Sequence, residues 1–158
     1  MSPAEDSFLN RLREGLISSS PGATEEAGRK CAGLLPADCV VALHGDLGTG
    51  KTTFVRGLAS GFGINKPITS PTFTLHAIYQ GNRQLVHLDA YRLESAAEMD
   101  HLMLEDFLQS PWCLAVEWPD NIREFLPGDT WHFELGVEAP GRHRIRMLHP
   151  GKISPTTD

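Results

Sequence analysis

No stretch of this sequence stays apolar for long enough to cross a bilayer. The longest runs, such as Val40–Leu43, have strand length, far short of the roughly 18 residues a membrane helix needs, so no membrane role is expected. The opening residues Met1-Ser-Pro-Ala-Glu-Asp6 lack the basic start and apolar stretch of a secretory signal, and the expected location is cytoplasmic. Cysteine is scarce and odd in number. Cys31, Cys39 and Cys113 are widely spaced among apolar neighbours, which argues against a disulfide scaffold and predicts reduced core thiols. Positive charge is in deficit, with 14 Lys and Arg against 20 Asp and Glu and a net charge of −6. Such a chain does not grip nucleic acid by itself, because phosphate binding needs clustered Lys and Arg; any nucleic-acid role is expected to run through a partner. Internal repeats and low-complexity linkers are also missing. With 158 residues and 41% hydrophobic content, the chain suits one domain over residues 1–150, with a flexible tail over 151–158.

Hydrophobic periodicity supplies the elements. Phe8, Leu9, Leu12 and Leu16 recur at helical spacing over residues 5–17, although 15–19 fits a short edge strand equally well. Thr24 as N-cap, Glu25 and Glu26 in the first turn, and Ala27, Cys31, Leu34 and Leu35 on one face predict a helix over 24–35. Val40–Leu43, between Pro36 and a glycine-rich loop, has the pattern of a buried parallel strand, and the next helix is expected to run from inside that loop to Ser60. Phe73–Tyr79 and Gln84–Leu88 flank the turn cluster Gln80-Gly-Asn-Arg83, a predicted hairpin. Met99, Leu102, Met103 and Phe107 share one face of an expected helix over 96–108 and read as core. Cys113–Val116 is another buried strand, ending at Glu117, and Trp131–Val137 and Arg142–Leu148 form a closing pair around Glu138-Ala-Pro-Gly141. The expected fold class is α/β, three layers around a mostly parallel central sheet with added antiparallel strands; Gly45-x-x-x-x-Gly50-Lys51-Thr52 between the strand and the helix makes it a P-loop NTPase fold.

Gly45-Asp-Leu-Gly-Thr-Gly-Lys-Thr52 matches the GxxxxGK[ST] pattern and stands between an expected strand and an expected helix, the context that separates the motif from coincidence. Backbone N–H groups must approach phosphate oxygens closely, and Gly48 and Gly50 supply that room. The N-terminus of the following helix adds free N–H groups and the positive end of its dipole. Gly45, Leu47, Gly48, Thr49, Gly50, Lys51, Thr52 and Thr53 are therefore the candidate nucleotide-binding residues of the loop. Lys51, expected to face solvent before phosphate arrives, bridges β- and γ-phosphates, and the Thr52 hydroxyl ligates Mg²⁺. A magnesium site also wants an acidic group at the end of a neighbouring strand. Glu117 is that candidate, and Asp89, after Leu85–Leu88, is the second, for metal, water or catalytic duty. Lys51, Asp89 and Glu117 make the candidate catalytic set, and Thr52 and Glu117 the candidate metal ligands. His44, His76, His101, His132, His143 and His149 show no metal-ligand spacing and read as structural or surface residues.

Three further segments, Ser70-Pro-Thr-Phe73, His87-Leu-Asp-Ala-Tyr-Arg92 and Glu117-Trp-Pro119, follow the P-loop in that order. The four together resemble the bacterial tRNA threonylcarbamoyladenosine biosynthesis ATPase family, TsaE, from Thr24 through Arg142. The resemblance implies an ATPase that uses ATP and Mg²⁺, with Asp89 important for hydrolysis and Ser70–Phe73 acting as a switch-like loop. It implies that Trp118 lies near the nucleotide and that Arg142 contacts it. It also implies two partner proteins, a threonylcarbamoyl transferase subunit and its paralogue, through which tRNA is reached indirectly for t6A modification beside the anticodon. Thr49 stands where the family usually has alanine, Leu88 and Ala90 where Phe and Leu flank the aspartate, and Met103 where glycine is usual. A regulatory GTPase fits less well: Asn65-Lys66 is followed by Pro67-Ile68, and no Asp is followed three residues later by Gly. A small-molecule kinase lacks its arginine-rich lid here, with only scattered Arg83, Arg92 and Arg123. A nucleotide-dependent assembly module, whose hydrolysis only resets a complex, would keep the same ligands.

Overall fold

The computed structural model describes residues 2–71 and 75–149. Both readings of the N-terminal segment are realised in succession. Helix α1 (Pro3–Glu14) is closed by a capping box in which Ser2 Oγ accepts from the Glu5 amide at 3.2 Å and the Glu5 carboxylate accepts from the Ser2 amide at 3.4 Å. It ends at Gly15, and β1 (Leu16–Ser18) follows at once as an edge strand. Helix α2 (Pro21–Ala32) has its cap at Ser20, four residues before the predicted Thr24 cap. Ser20 Oγ accepts from the Ala23 amide at 3.1 Å, and Pro21, whose fixed φ suits a first helical position, starts the turn. Thr24 is instead buried in that turn, its hydroxyl 2.7 Å from Ser18 Oγ.

The remaining elements are β2 (Cys39–His44), α3 (Lys51–Gly61), β3 (His76–Gln80), β4 (Gln84–Asp89), β5 (Trp112–Glu117), β6 (Trp131–Ala139) and β7 (Arg142–His149). Among the described residues, seven strands form one sheet in the order β1-β7-β6-β2-β5-β4-β3. Its centre, β6-β2-β5-β4, is parallel, while β7, β1 and β3 are added antiparallel. The predicted hairpin is the β3–β4 pair, with Gln80 opposite Gln84; Phe73, and with it the start of that predicted strand, lies outside the described residues. The central strands are apolar on both faces because both are covered. Val41, Leu43, Leu85 and Ala115 pack with Phe8, Leu12, Phe54 and Leu58 from the helices, and Val40, Val86, Leu88, Leu114 and Val116 pack with Met99, Leu104 and Ile122 on the other side.

That second covering layer corrects one expectation. No α-helix spans 96–108; two 3₁₀ segments, Ala96–Leu102 and Leu104–Asp106, meet at Met103, whose φ is +51°. The inversion at 103 turns Leu104 into the core and leaves Met103 60% and Phe107 44% exposed, so of the four-residue stripe only Met99 is buried. A side chain in the left-handed region costs about 1–2 kcal/mol, a penalty glycine escapes. Met103→Gly is therefore expected to stabilise the fold by about 1 kcal/mol, less what it adds in unfolded-chain entropy. Chemical denaturation checks this; a lower midpoint would mean that the exposed methionine holds the segment through packing. No helix among the described residues is long and apolar enough to cross a membrane.

Candidate functional site

Strand β2 is buried through Leu43 and delivers the chain to the loop at the centre of the sheet. Positive φ values at Gly45 (+143°), Gly48 (+78°) and Gly50 (+102°) curl the loop back over the strand end. A Cβ at Gly45 would lie 2.4 Å from the Leu135 carbonyl, whereas around the Cβ position of Gly48 nothing among the described residues comes within 4 Å. Gly50 caps α3 without a side-chain bond, and the helix ladder begins with the Phe54 amide on the Gly50 carbonyl at 2.9 Å. The amides of Lys51, Thr52 and Thr53 lie ahead of that ladder, at the positive end of the helix. Thr49 steadies the loop, its Oγ1 donating to the Asp46 carbonyl at 2.9 Å and its carbonyl standing 2.8 Å from His143 Nδ1.

Lys51 does not face solvent. It is 5% exposed; its Nζ donates to the Gly45 carbonyl and lies 3.8 Å from the centre of the Trp118 ring. The indole reaches the loop because Trp118 is itself left-handed, φ +58°, at the end of β5, and its ring also meets Tyr91 at 5.1 Å. Burial holds the ammonium's pKa below the usual lysine value against the opposing pull of Glu117, Asp89 and Asp46. An arriving phosphate would have to draw the ammonium away from a carbonyl and a ring face rather than from water.

The parallel register sets Leu43, Glu117 and Asp89 side by side across β2, β5 and β4. Glu117 is 5% exposed. Its Oε2 accepts from Thr52 Oγ1 at 3.2 Å and from His87 Nε2 at 2.6 Å. Burial works to raise its pKa, but His87, Lys51 and Thr52 outweigh it and hold the carboxyl below the ordinary range, as a carboxylate. Asp89 Oδ1 accepts from the Tyr91 amide at 3.0 Å. The sequence names His87 only as part of a motif, yet it is fully buried and clamps Glu117 from below. Strand alternation is the signal that could find it, since His87 and Asp89 share one face of β4.

Beside the loop, a cavity of about 690 Å³ is lined by Leu47, Thr49, Trp118 and Asn121 on one side and by β6 and β7 on the other. Arg144 and Arg146 line its far wall, paired with Glu138 at 3.6 Å and Glu134 at 3.2 Å. Arg142 is elsewhere, exposed at the start of β7 opposite Ala139. Arg92 is exposed, and among the described residues no ion pair joins it to Glu94. Ser70 and Pro71 are described, whereas Thr72 and Phe73 of the switch-like loop lie outside the described residues. His44 Nε2 stands 2.9 Å from His132 Nδ1 behind the loop. Among the described residues no group of three or more His, Cys, Asp or Glu could hold a metal ion. A P-loop magnesium does not need such a group, because it takes one or two protein oxygens and completes its shell with phosphate and water.

A buried strand, a glycine loop and a helix at the centre of a mostly parallel sheet define a protein of the P-loop fold. The profile of the family described as "Threonylcarbamoyl adenosine biosynthesis protein TsaE" matches residues 18–145, and the chain belongs to that family. The chain is similar to the tRNA threonylcarbamoyladenosine biosynthesis protein TsaE of Treponema pallidum, 39% identical over 83% of this chain and 97% of that protein. It is similar to the same-named protein of Streptomyces coelicolor, 43% identical over 70% and 76%. The crystal structure of Bacillus subtilis YdiB aligns with a TM-score of 0.70 at 30% identity, covering 84% of this chain and 82% of that one.

Proposed function

We propose that this chain binds ATP with Mg²⁺ at the P-loop, hydrolyses it, and works with partner proteins in making tRNA threonylcarbamoyladenosine. The observation that carries the nucleotide reading is the 3.2 Å bond between the Thr52 hydroxyl and the Glu117 carboxylate at the open end of α3. It sets a neutral and a charged oxygen ligand together beside free helix amides and a lysine. The room around Gly48 suits a phosphate chain. Thr52 and Glu117 would hold the ion, which when bound supplies charge neutralisation on the transferred phosphoryl group. Lys51 contributes the fixed positive charge to the phosphates. Asp89, the direct register partner of Glu117 on the neighbouring strand, would orient the attacking water. The pathway reading is supported by the names of the relatives, tRNA threonylcarbamoyladenosine biosynthesis proteins.

His87 supplies a specific prediction. Outer partners of metal ligands typically change metal affinity by about 10–100-fold. His87→Ala is expected to raise the Mg²⁺ needed for half-maximal turnover by about tenfold while ATP affinity without Mg²⁺ stays unchanged, and His87→Gln, which keeps a donor, should recover most of the loss. Equal Mg²⁺ requirements in wild type and alanine variant would reduce His87 to packing.

The partner reading rests on what the site and charge leave incomplete. Lys51, Thr52, Glu117 and Asp89 account for binding and metal, but no arginine is placed as a transition-state finger; Arg92, three residues past β4, is a candidate only, exposed and without an ion pair among the described residues. A net charge of −6 also disfavours unaided capture of tRNA. The chain alone is expected to turn ATP over slowly, and the threonylcarbamoyl transferase with its paralogue to raise the rate by at least about tenfold, roughly 1.4 kcal/mol of barrier. Turnover measured alone, with each partner and with both, at fixed salt and Mg²⁺, tests this. Full speed alone, unaffected by either partner, would show that the site is complete in this chain.

A further inference from the structure

Two of the three cysteines face each other. Cys39 and Cys113 are direct partners in the parallel register of β2 and β5, at the strand ends remote from the P-loop, and both side chains pack on the helical face of the sheet. Adjacent strands lie about 4.8 Å apart, within the Cα separations of about 4.4–6.8 Å that a disulfide spans.

A cation is fixed against one sulfur of the pair. Arg83 Nη2 lies 3.3 Å from Cys39 Sγ. The same guanidinium donates to the carbonyls of Leu35, Pro36 and Trp112 and sits 5.0 Å from the Phe62 ring, so it is not free to swing away. The two thiols are thereby made unequal. The Cys113 hydrogen bond lowers the Cys39 pKa and Arg83 adds to it, against burial and the charge of Asp129, while Cys113 is pushed up. Cys31 is the internal contrast: it is buried without a cation, and burial alone pushes its thiol far up. The thiolate is the reactive form, so acidity ranks Cys39 first. Access ranks it first as well, at 7% exposed against 0% for Cys113.

We propose that Cys39 and Cys113 form a peroxide-reactive dithiol, in which Cys39 is oxidised first and Cys113 closes a disulfide between β2 and β5. Hydrogen peroxide is the oxidant. The Cys39 thiolate attacks one peroxide oxygen, the O–O bond breaks, and Cys39 becomes a sulfenic acid as hydroxide leaves. The Cys113 sulfur then attacks the Cys39 sulfur, an S–S bond forms, and the S–OH oxygen leaves as water with the Cys113 proton. Two thiols lose two electrons in all, and one peroxide becomes two waters. The bond ties together the bases of the two strands whose far ends carry the P-loop and Glu117.

The test uses the full chain under native conditions. It is treated with hydrogen peroxide, quenched, alkylated in denaturant and digested for mass spectrometry. The expected result is one peptide pair joining Cys39 to Cys113, lighter by two hydrogens and separated by dithiothreitol, with Cys31 still fully alkylated. Cys113→Ser should stop at Cys39 and give a sulfenic acid that dimedone captures, whereas Cys39→Ser should leave Cys113 alkylatable. The proposal is overturned if both thiols remain fully alkylatable at peroxide doses that oxidise a control thiol. It is equally overturned if the linkage joins Cys31, joins two chains, or forms only after unfolding.

Discussion

Lys51→Ala is expected to weaken ATP binding by about 10–100-fold, the loss of a hydrogen bond between charged groups worth about 1.5–3 kcal/mol. The ammonium puts a full positive charge at the first residue of α3, and the loop amides alone carry no net charge. The loss should fall toward the lower part of that range, because the residue leaves favourable contacts in order to bind. Its Nζ is held by the Gly45 carbonyl and the Trp118 ring, and a partly desolvated cation–π contact contributes about 0.5–2 kcal/mol to the unliganded form. The same contacts predict a modest stability loss in the variant, under about 2 kcal/mol, from an unpaired carbonyl and an uncovered indole. Calorimetric titration with ATP, alongside a denaturation curve, separates the two effects. Unchanged affinity in a folded variant would contradict the assignment of Lys51 to phosphate.

Glu117→Gln should keep ATP binding and lower Mg²⁺-dependent turnover by about 100-fold, near 2.7 kcal/mol of barrier. The substitution is nearly isosteric and keeps an oxygen that can accept from Thr52 or His87, so the loop geometry survives. What disappears is the negative charge that His87, Lys51 and Thr52 preserve in spite of burial. The oxygen left behind is a weaker ligand for a hard divalent cation. Steady-state hydrolysis at saturating ATP over a range of Mg²⁺ gives the answer. Normal turnover would leave Glu117 with a structural task only, satisfying His87 and Thr52 at the strand end.

The local features of this chain were legible and the long-range ones were not. Val40–Leu43, the glycine loop and α3 announce themselves within a short window, and so does the hairpin turn at Gln80–Arg83. The Met99, Leu102, Met103, Phe107 spacing imitates a helix because periodicity is blind to one inverted φ at Met103. Ser20-Pro21 is a stronger helix start than Thr24, and Pro21 is the residue that says so. Lys51 is covered by a tryptophan distant in sequence, through a left-handed turn that no propensity foretells. His87 acquires meaning only when parallel pairing sets β4 beside β5. The same holds for Cys39 and Cys113, remote in sequence and opposed in the sheet. At the other edge, the β6–β7 register shifts between Val137 and Ala139, and it is Arg144 and Arg146, not Arg142, that reach the cavity wall.

The most direct measurement is an equilibrium calorimetric titration of the full chain with ATP, run with Mg²⁺, with EDTA in its place, and with GTP substituted for ATP. One ATP bound per chain, tightened by Mg²⁺ and preferred over GTP, is the predicted result. No binding of ATP with Mg²⁺ present, or binding of GTP in preference, would contradict an ATP–Mg²⁺ site built from Lys51, Thr52 and Glu117.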